Sequence, residues 1–221
     1  MAVRPFQNVT LSQQVRDHLR REILSNRLAP GAHLHEEVIA SELGISRAPV
    51  REALRLLAAE DLVTIAPRRG AVVRELSADD FRAAYQVREA LETLAVRLAV
   101  PRMGDDDHVA LRELYQRMSD AAAHADAERF GEADAAFHIH IVERSGNKRL
   151  IEIYKHLKNQ IRQYRRWSMA LRGGFERSLV EHAAILGAID AGDVETAVQR
   201  LAEHLRAPQV RLEANAREGR A

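Results

Sequence analysis

Residues 45–73, "ISRAPVREALRLLAAEDLVTIAPRRGAVV", constrain the fold of this chain more than any other stretch. Read with a 3.6-residue period, Val50, Ala53, Leu54 and Leu57 share one apolar face. Ser46 stands as the N-cap and Pro49 falls in the first turn, where a missing N–H is tolerated. The pattern then changes. Two short β-rich runs flank Pro67, Arg68, Arg69 and Gly70, the composition of a hairpin.

Upstream, a helix is expected from about Leu11 to Leu28, with Val15, Leu19 and Ile23 four apart. "LAPG" turns the chain, and "HEEVIASELG" reads as a short helix closed by Gly44. Three short helices and a hairpin make a winged helix-turn-helix, expected over residues 1–76. Near "ELSADDF" a new helix starts, with Ser77 as cap and Asp80 in a capping-box position. From there to residue 221 everything reads as helix. Six are expected, at about 77–102, 105–125, 127–145, 147–171, 174–191 and 193–206 or beyond, separated by "PRMGDDD", "SGN", "RGG" and "AGD". Short connections make neighbours antiparallel. The polar tail from Pro208 is expected to fray. The fold class is therefore mainly α: a winged helix-turn-helix followed by an all-α antiparallel bundle.

The bulk numbers exclude several classes. Apolar residues make up 46% and charged residues 29%, ordinary for a globular chain. No run of about 18 apolar residues could span a bilayer, the first residues lack the apolar core of a signal peptide, and there is no cysteine. A cytoplasmic location is expected, with no membrane partner. The net charge of +1 says nothing about nucleic acid, so the placement of the cations must carry that argument. Of 33 basic residues only Lys148, Lys155 and Lys158 are lysine. Arginine suits bidentate recognition of phosphate, carboxylate or guanine, and heavy arginine and alanine usage equally follows from genome composition.

In a helix-turn-helix the second helix lies in the major groove with its first residues toward the base edges. Arg47, Arg51 and Arg55 recur every four residues on a stripe beside the apolar face, and Arg47 and Arg51 stand in the first turns, where contact is deepest. Ala48 and Pro49 leave room for close backbone approach. Arg68 and Arg69 at the hairpin tip, beside Gly70, could reach phosphates or a narrow minor groove. Charges on a helix usually face water, but the Gly44-Ile45-Ser46 turn and the arginine-tipped hairpin make the DNA-reading interpretation the better one.

In the bundle half, "DAAFHIH" places Asp134 and His138 four apart on one helix face, while His140 points some 200° away from His138. His182 and His204 each lie 11 residues from position 193 in the "AGD" turn, so an antiparallel hairpin brings them to one level. Asp134, His138, His182 and His204 can therefore converge in a bundle core as ligands of a divalent transition metal, zinc first, with nickel, manganese or iron open. For His108, His124, His140 and His156 a surface or structural role is expected.

Two resemblances sharpen this reading. "LGISRAPVREALRLLAAEDLV" followed by "PRRGAVV" resembles the DNA-binding domain of the GntR family of bacterial transcription regulators, over about residues 11–75. The resemblance implies Arg47, Ala48, Pro49, Arg51 and the wing arginines as DNA contacts. Two positions depart from the family pattern: Asp61 replaces a glycine after the recognition helix, and Glu37 stands where some members carry a DNA-touching arginine. "EADAAFHIHIVERSGN", then "SLVEHAAILGAIDAGDVETAVQRLAEHL", is similar to the FCD domain of the FadR subfamily, over about 77–206, with six helices as in its VanR-like members. Its metal-binding pattern falls on Asp134, His138, His182 and His204. Arg88 matches an arginine that in this family often lies near the effector, and a salt bridge to Glu92 is the alternative. Asn159, level with Asp134 when reflected across the "SGN" turn, and Arg162 are further effector candidates.

The resulting expectation is a homodimeric, cytoplasmic regulator, not an enzyme, that binds a pseudo-palindromic double-stranded operator. A small carboxylate metabolite at the metal site would control it. Two alternatives stay open: a sensor for the ion itself, and a metalloenzyme, which the absence of a separate general base near the four ligands and the otherwise unexplained N-terminal half argue against.

Overall fold

The structure, a computed structural model, describes residues 9–217 apart from 26, 67–69, 76, 158–160, 162–163 and 165–173. The chain falls into two compact units, Met1–Leu76 and Ser77–Ala221. The first begins with helix α1 (Leu11–Leu24), capped by Thr10, whose hydroxyl accepts from the Gln13 N–H while the Gln13 side chain accepts from the Thr10 N–H. It ends at Ser25, one turn short of the expected Leu28, and Leu28 still packs on the core from the following loop. Strand β1 (His33–Leu34), α2 (Glu36–Leu43) and α3 (Arg47–Ala59) follow. Gly44 closes α2 with φ 65°, a left-handed conformation glycine adopts without steric cost.

Val50, Ala53, Leu54 and Leu57 of α3 are buried against Val15, Leu19 and Ile23 of α1. Burying a side chain such as Leu57 fully contributes about 1.5–3 kcal/mol, so this stripe fixes which face of α3 looks inward. Its arginines are left outside. Asp61 (φ 58°) turns the chain out of α3, which lets the Leu62 N–H reach the Leu57 carbonyl at 3.0 Å and buries Leu62 completely. Strands β2 (Val63–Ala66) and β3 (Gly70–Val73) then pair antiparallel, Val63 opposite Val73. Sequence reading gives no hint of β1, whose two residues show no period. It pairs with β3, His33 opposite Val72, and the sheet order is β1-β3-β2.

The second unit is helical throughout its described residues. It comprises α4 (Ala78–Ala99) with a 3₁₀ turn at Val100–Arg102, α5 (Asp105–Ala123), α6 (Ala127–Arg144), α7 (148–157), α8 (Phe175–Asp190) and α9 (Val194–Arg217). Ser77 and Asp126 cap α4 and α6 by accepting the N3 amide, each at 3.0 Å, and Asp193 does the same for α9. Helix α4 packs on α6 and α9, α5 on α6 and α8, and α8 on α9. Pro208 does not start a frayed tail: α9 runs through it to Arg217. The reason is packing, since Leu201, Leu205, Pro208 and Leu212 recur at helical spacing and all are buried. Pro208 has no N–H to give the carbonyl of His204 one turn back, so the helix continues there without that bond. No helix among the described residues is long and apolar enough to cross a membrane.

Candidate functional site

Four buried polar residues meet inside the bundle. Asp134 and His138 come from α6, His182 from α8 and His204 from α9, and each offers a ligand atom within 4.8 Å of the others. The imidazole centroids are 5.4 Å apart for His138 and His182, 5.3 Å for His138 and His204, and 4.5 Å for His182 and His204. His182 Nε2 lies 3.2 Å from Asp134 Oδ1.

Each ring has its Nδ1 engaged from behind. His182 Nδ1 donates to the Ser178 carbonyl at 2.8 Å, and His204 Nδ1 stands 2.9 Å from Glu181 Oε2. His138 Nδ1 lies 2.7 Å from Glu92 Oε2, although the angle is too poor for a full hydrogen bond. Such partners set the tautomer and turn Nε2 toward the shared point, as around metal-ligating histidines. The Nε2 atoms of His138 and His182 are buried with no hydrogen-bond partner. A buried polar atom left so costs about 1–3 kcal/mol, and a metal ion is the group that would relieve it. Three imidazoles and a carboxylate suit a divalent first-row ion. Burial pushes the His138 imidazole down to about 4 against the opposite pull of Glu92, which keeps it neutral and fit to ligate.

Behind His138 lies a second buried group. Glu92 Oε1 accepts from Arg88 Nε and from the Tyr154 hydroxyl, both at 2.6 Å, and Arg88 Nη1 lies 3.3 Å from the Tyr85 hydroxyl. Burial works to raise the Glu92 carboxyl, but the charge of Arg88 at hydrogen-bond distance overcomes it and holds it far below the usual range. Burial likewise opposes the charge on Arg88, and Glu92 more than restores it. The salt-bridge reading of Arg88 holds at its Nε, while its Nη2 is buried without a hydrogen-bond partner.

Sequence reasoning missed Glu92 and Glu181 as orienting groups. Glu92 appeared only as an ion-pair partner for Arg88, and Glu181 only as the residue paired with His182 in the sequence pattern, with no orienting role until α8 met α9. His140 is turned away from the four, 3.1 Å from Asp107 Oδ1. His108 pairs with Asp190 at 2.8 Å, and His124 with the Asp120 carbonyl at 2.8 Å. His156 is exposed. Asn159 and Arg162 lie outside the described residues.

On the first unit, Arg47, Arg51 and Arg55 are exposed along α3, with Ala48 exposed and Pro49 half-buried between them. Two of the arginines are held by acids of α2. Arg51 grips Glu36 with a fork at 2.8 and 3.0 Å, and Arg47 Nη1 donates to Glu37 Oε1 at 2.6 Å. Arg55 is more loosely paired with Glu52, at 3.8 Å. Gly70 opens β3 with φ 79°, while Arg68 and Arg69 lie outside the described residues.

Comparison with known proteins bears on both halves. Residues 11–73 match the model of the bacterial regulatory proteins of the gntR family, and residues 83–207 match the FCD domain. The chain is similar to the HTH-type transcriptional regulator McbR of Escherichia coli, 31% identical over 69% of each chain. It is similar also to the gluconate operon transcriptional repressor of Bacillus licheniformis, 29% identical over 88% of this chain and 82% of that one. The solved structure of McbR/YncC from E. coli superposes with a TM-score of 0.77 at 26% identity, covering 95% of this chain and all of that one.

Proposed function

Because the chain belongs to the GntR family, as a DNA-binding transcription regulator with an FCD effector domain and not an enzyme, we propose that a small carboxylate metabolite bound at a metal site controls its operator binding. The observation that carries the proposal is the pair of buried imidazole Nε2 atoms, of His138 and His182, that have no hydrogen-bond partner, together with the buried Arg88 Nη2, which has none either. Asp134, His138, His182 and His204 would hold the ion, with zinc favoured by three nitrogens and one oxygen and nickel, manganese or iron also compatible. When bound, the ion supplies a Lewis-acidic point for a carboxylate oxygen. Arg88 supplies a guanidinium N–H to the ligand's other oxygen, a charge-assisted bond strengthened by burial. Glu92, shared between Arg88 and His138, keeps cation and imidazole in fixed relation. Asn159 and Arg162 are further candidates for the effector.

On the DNA side, Arg47, Arg51, Arg55, Ala48, Pro49 and Gly70, with Arg68 and Arg69, would meet the operator. One winged helix reads only a few base pairs, so a homodimer on a pseudo-palindromic site in the cytoplasm is the working form. The ligand regulates by favouring one arrangement of the two DNA-binding heads, since equal affinity for both shifts nothing. Titration of operator binding with and without chelator, and with a panel of small acids, tests this. An acid response that disappears on chelation and returns with metal supports the proposal. A full response in chelated protein reduces the metal to a structural role, and a response to metal with no acid active makes the ion the signal.

A further inference from the structure

We infer that Glu37 is a base-reading residue: with Arg47 it selects a C·G pair at one position of each operator half-site, its carboxylate accepting from the cytosine N4 amino group. This rests on the reading of α3 as the groove helix. Arg47 is the first residue of α3, at the end that enters deepest, and the 2.6 Å contact brings the Glu37 carboxylate to that end. The Glu37 side chain is 72% exposed. Its neighbour differs: Glu36 is only 22% exposed, and both its oxygens accept from Arg51. The adjacent acids thus divide the work. Glu36 aims Arg51, and Glu37 faces outward beside Arg47.

A carboxylate at a groove edge is repelled by phosphates, so it favours binding only where a base donor meets it. The major-groove edge of a C·G pair presents the cytosine amino donor next to guanine O6 and N7, both acceptors. A carboxylate and a guanidinium held together match that edge, Glu37 on the cytosine and Arg47 on the guanine. Adenine sets an N7 acceptor beside its amino group, and thymine offers an O4 acceptor and a methyl, so each leaves the carboxylate facing an acceptor.

Selection from a randomised duplex library with the full-length protein tests the inference, run in parallel with Glu37→Gln and Arg51→Ala. The expected result is a C·G preference once per half-site in the wild type. In Glu37→Gln it gives way to A·T, because a glutamine amide pairs with adenine N6 and N7, and affinity for the wild-type duplex falls roughly tenfold. Since Glu37 is exposed and glutamine isosteric, an unchanged melting curve verifies the fold. Identical motifs for wild type and Glu37→Gln, with tighter binding to every duplex, overturn the inference and leave α3 as the reader. A wild-type motif that survives Arg51→Ala overturns α3 as the groove helix, and the inference with it.

Discussion

Arginine–glutamate pairs occur in both units, and they do opposite work. In the winged-helix unit Arg51–Glu36 and Arg47–Glu37 lie at the surface, with the arginine side chains 51% and 54% exposed. In the bundle Arg88–Glu92 is 2% and 1% exposed. Exposed pairs contribute little to stability, because water and salt compete for both ions. They orient an arginine while leaving it within reach of a partner from outside. A buried pair has no such freedom: its desolvation has been met by mutual attraction and by the Tyr154 and Tyr85 hydroxyls, and removing one member strands the other. Burial separates a releasable catch from a fixed scaffold.

The largest effect expected is on the scaffold. Glu92→Ala leaves Arg88 and His138 without their carboxylate and should cost about 3–5 kcal/mol, read as a large drop in the bundle's melting temperature. Glu36→Ala should barely move the melting of its own unit, and equal losses from both substitutions break the comparison. Arg51→Ala should abolish specific operator binding in footprinting while the fold stays intact; a retained footprint removes α3 as the reader. Smaller in reach, His204→Ala should lower metal content and bundle melting temperature together. Unchanged metal by elemental analysis takes it out of the ligand set. His140→Ala should be smallest of all, with metal content near wild type, because that ring faces Asp107.

How much of this could be read from the chain differs between the same two regions. The winged helix was legible because its signals are local: Gly44 at a left-handed turn, the apolar spacing of α3 and the change of period at Val63 all act within a few residues. The two-residue β1 was not, since its pairing with β3 depends on residues some 40 positions away. In the bundle, fixed helical periods gave the shared face of Asp134 and His138, and reflection across the turn at Asp193 gave the common level of His182 and His204. What a period cannot give is which surface acid turns inward. Glu92 and Glu181 become orienting groups only when α6 and α9 bring His138 and His204 against them. The extension of α9 past Pro208 was missed for a related reason: a proline signals a helix end locally, and the burial of Leu205 and Leu212 overrules it.

The strap formed by β1 has a consequence for the grammar of the operator. Because β3 is paired along both edges, and β1 leads within two residues into α2, the hairpin is tied to the helix-turn-helix, and with α3 in the groove, as proposed, the two would act as one ruler. In that arrangement, inserting a single base pair between the bases facing α3 and the stretch facing the hairpin would rotate one about 34–36° away from the other. A free wing could swing to follow; this one is tied. The protein should accordingly tolerate many single-letter changes within a half-site better than any change in its internal length.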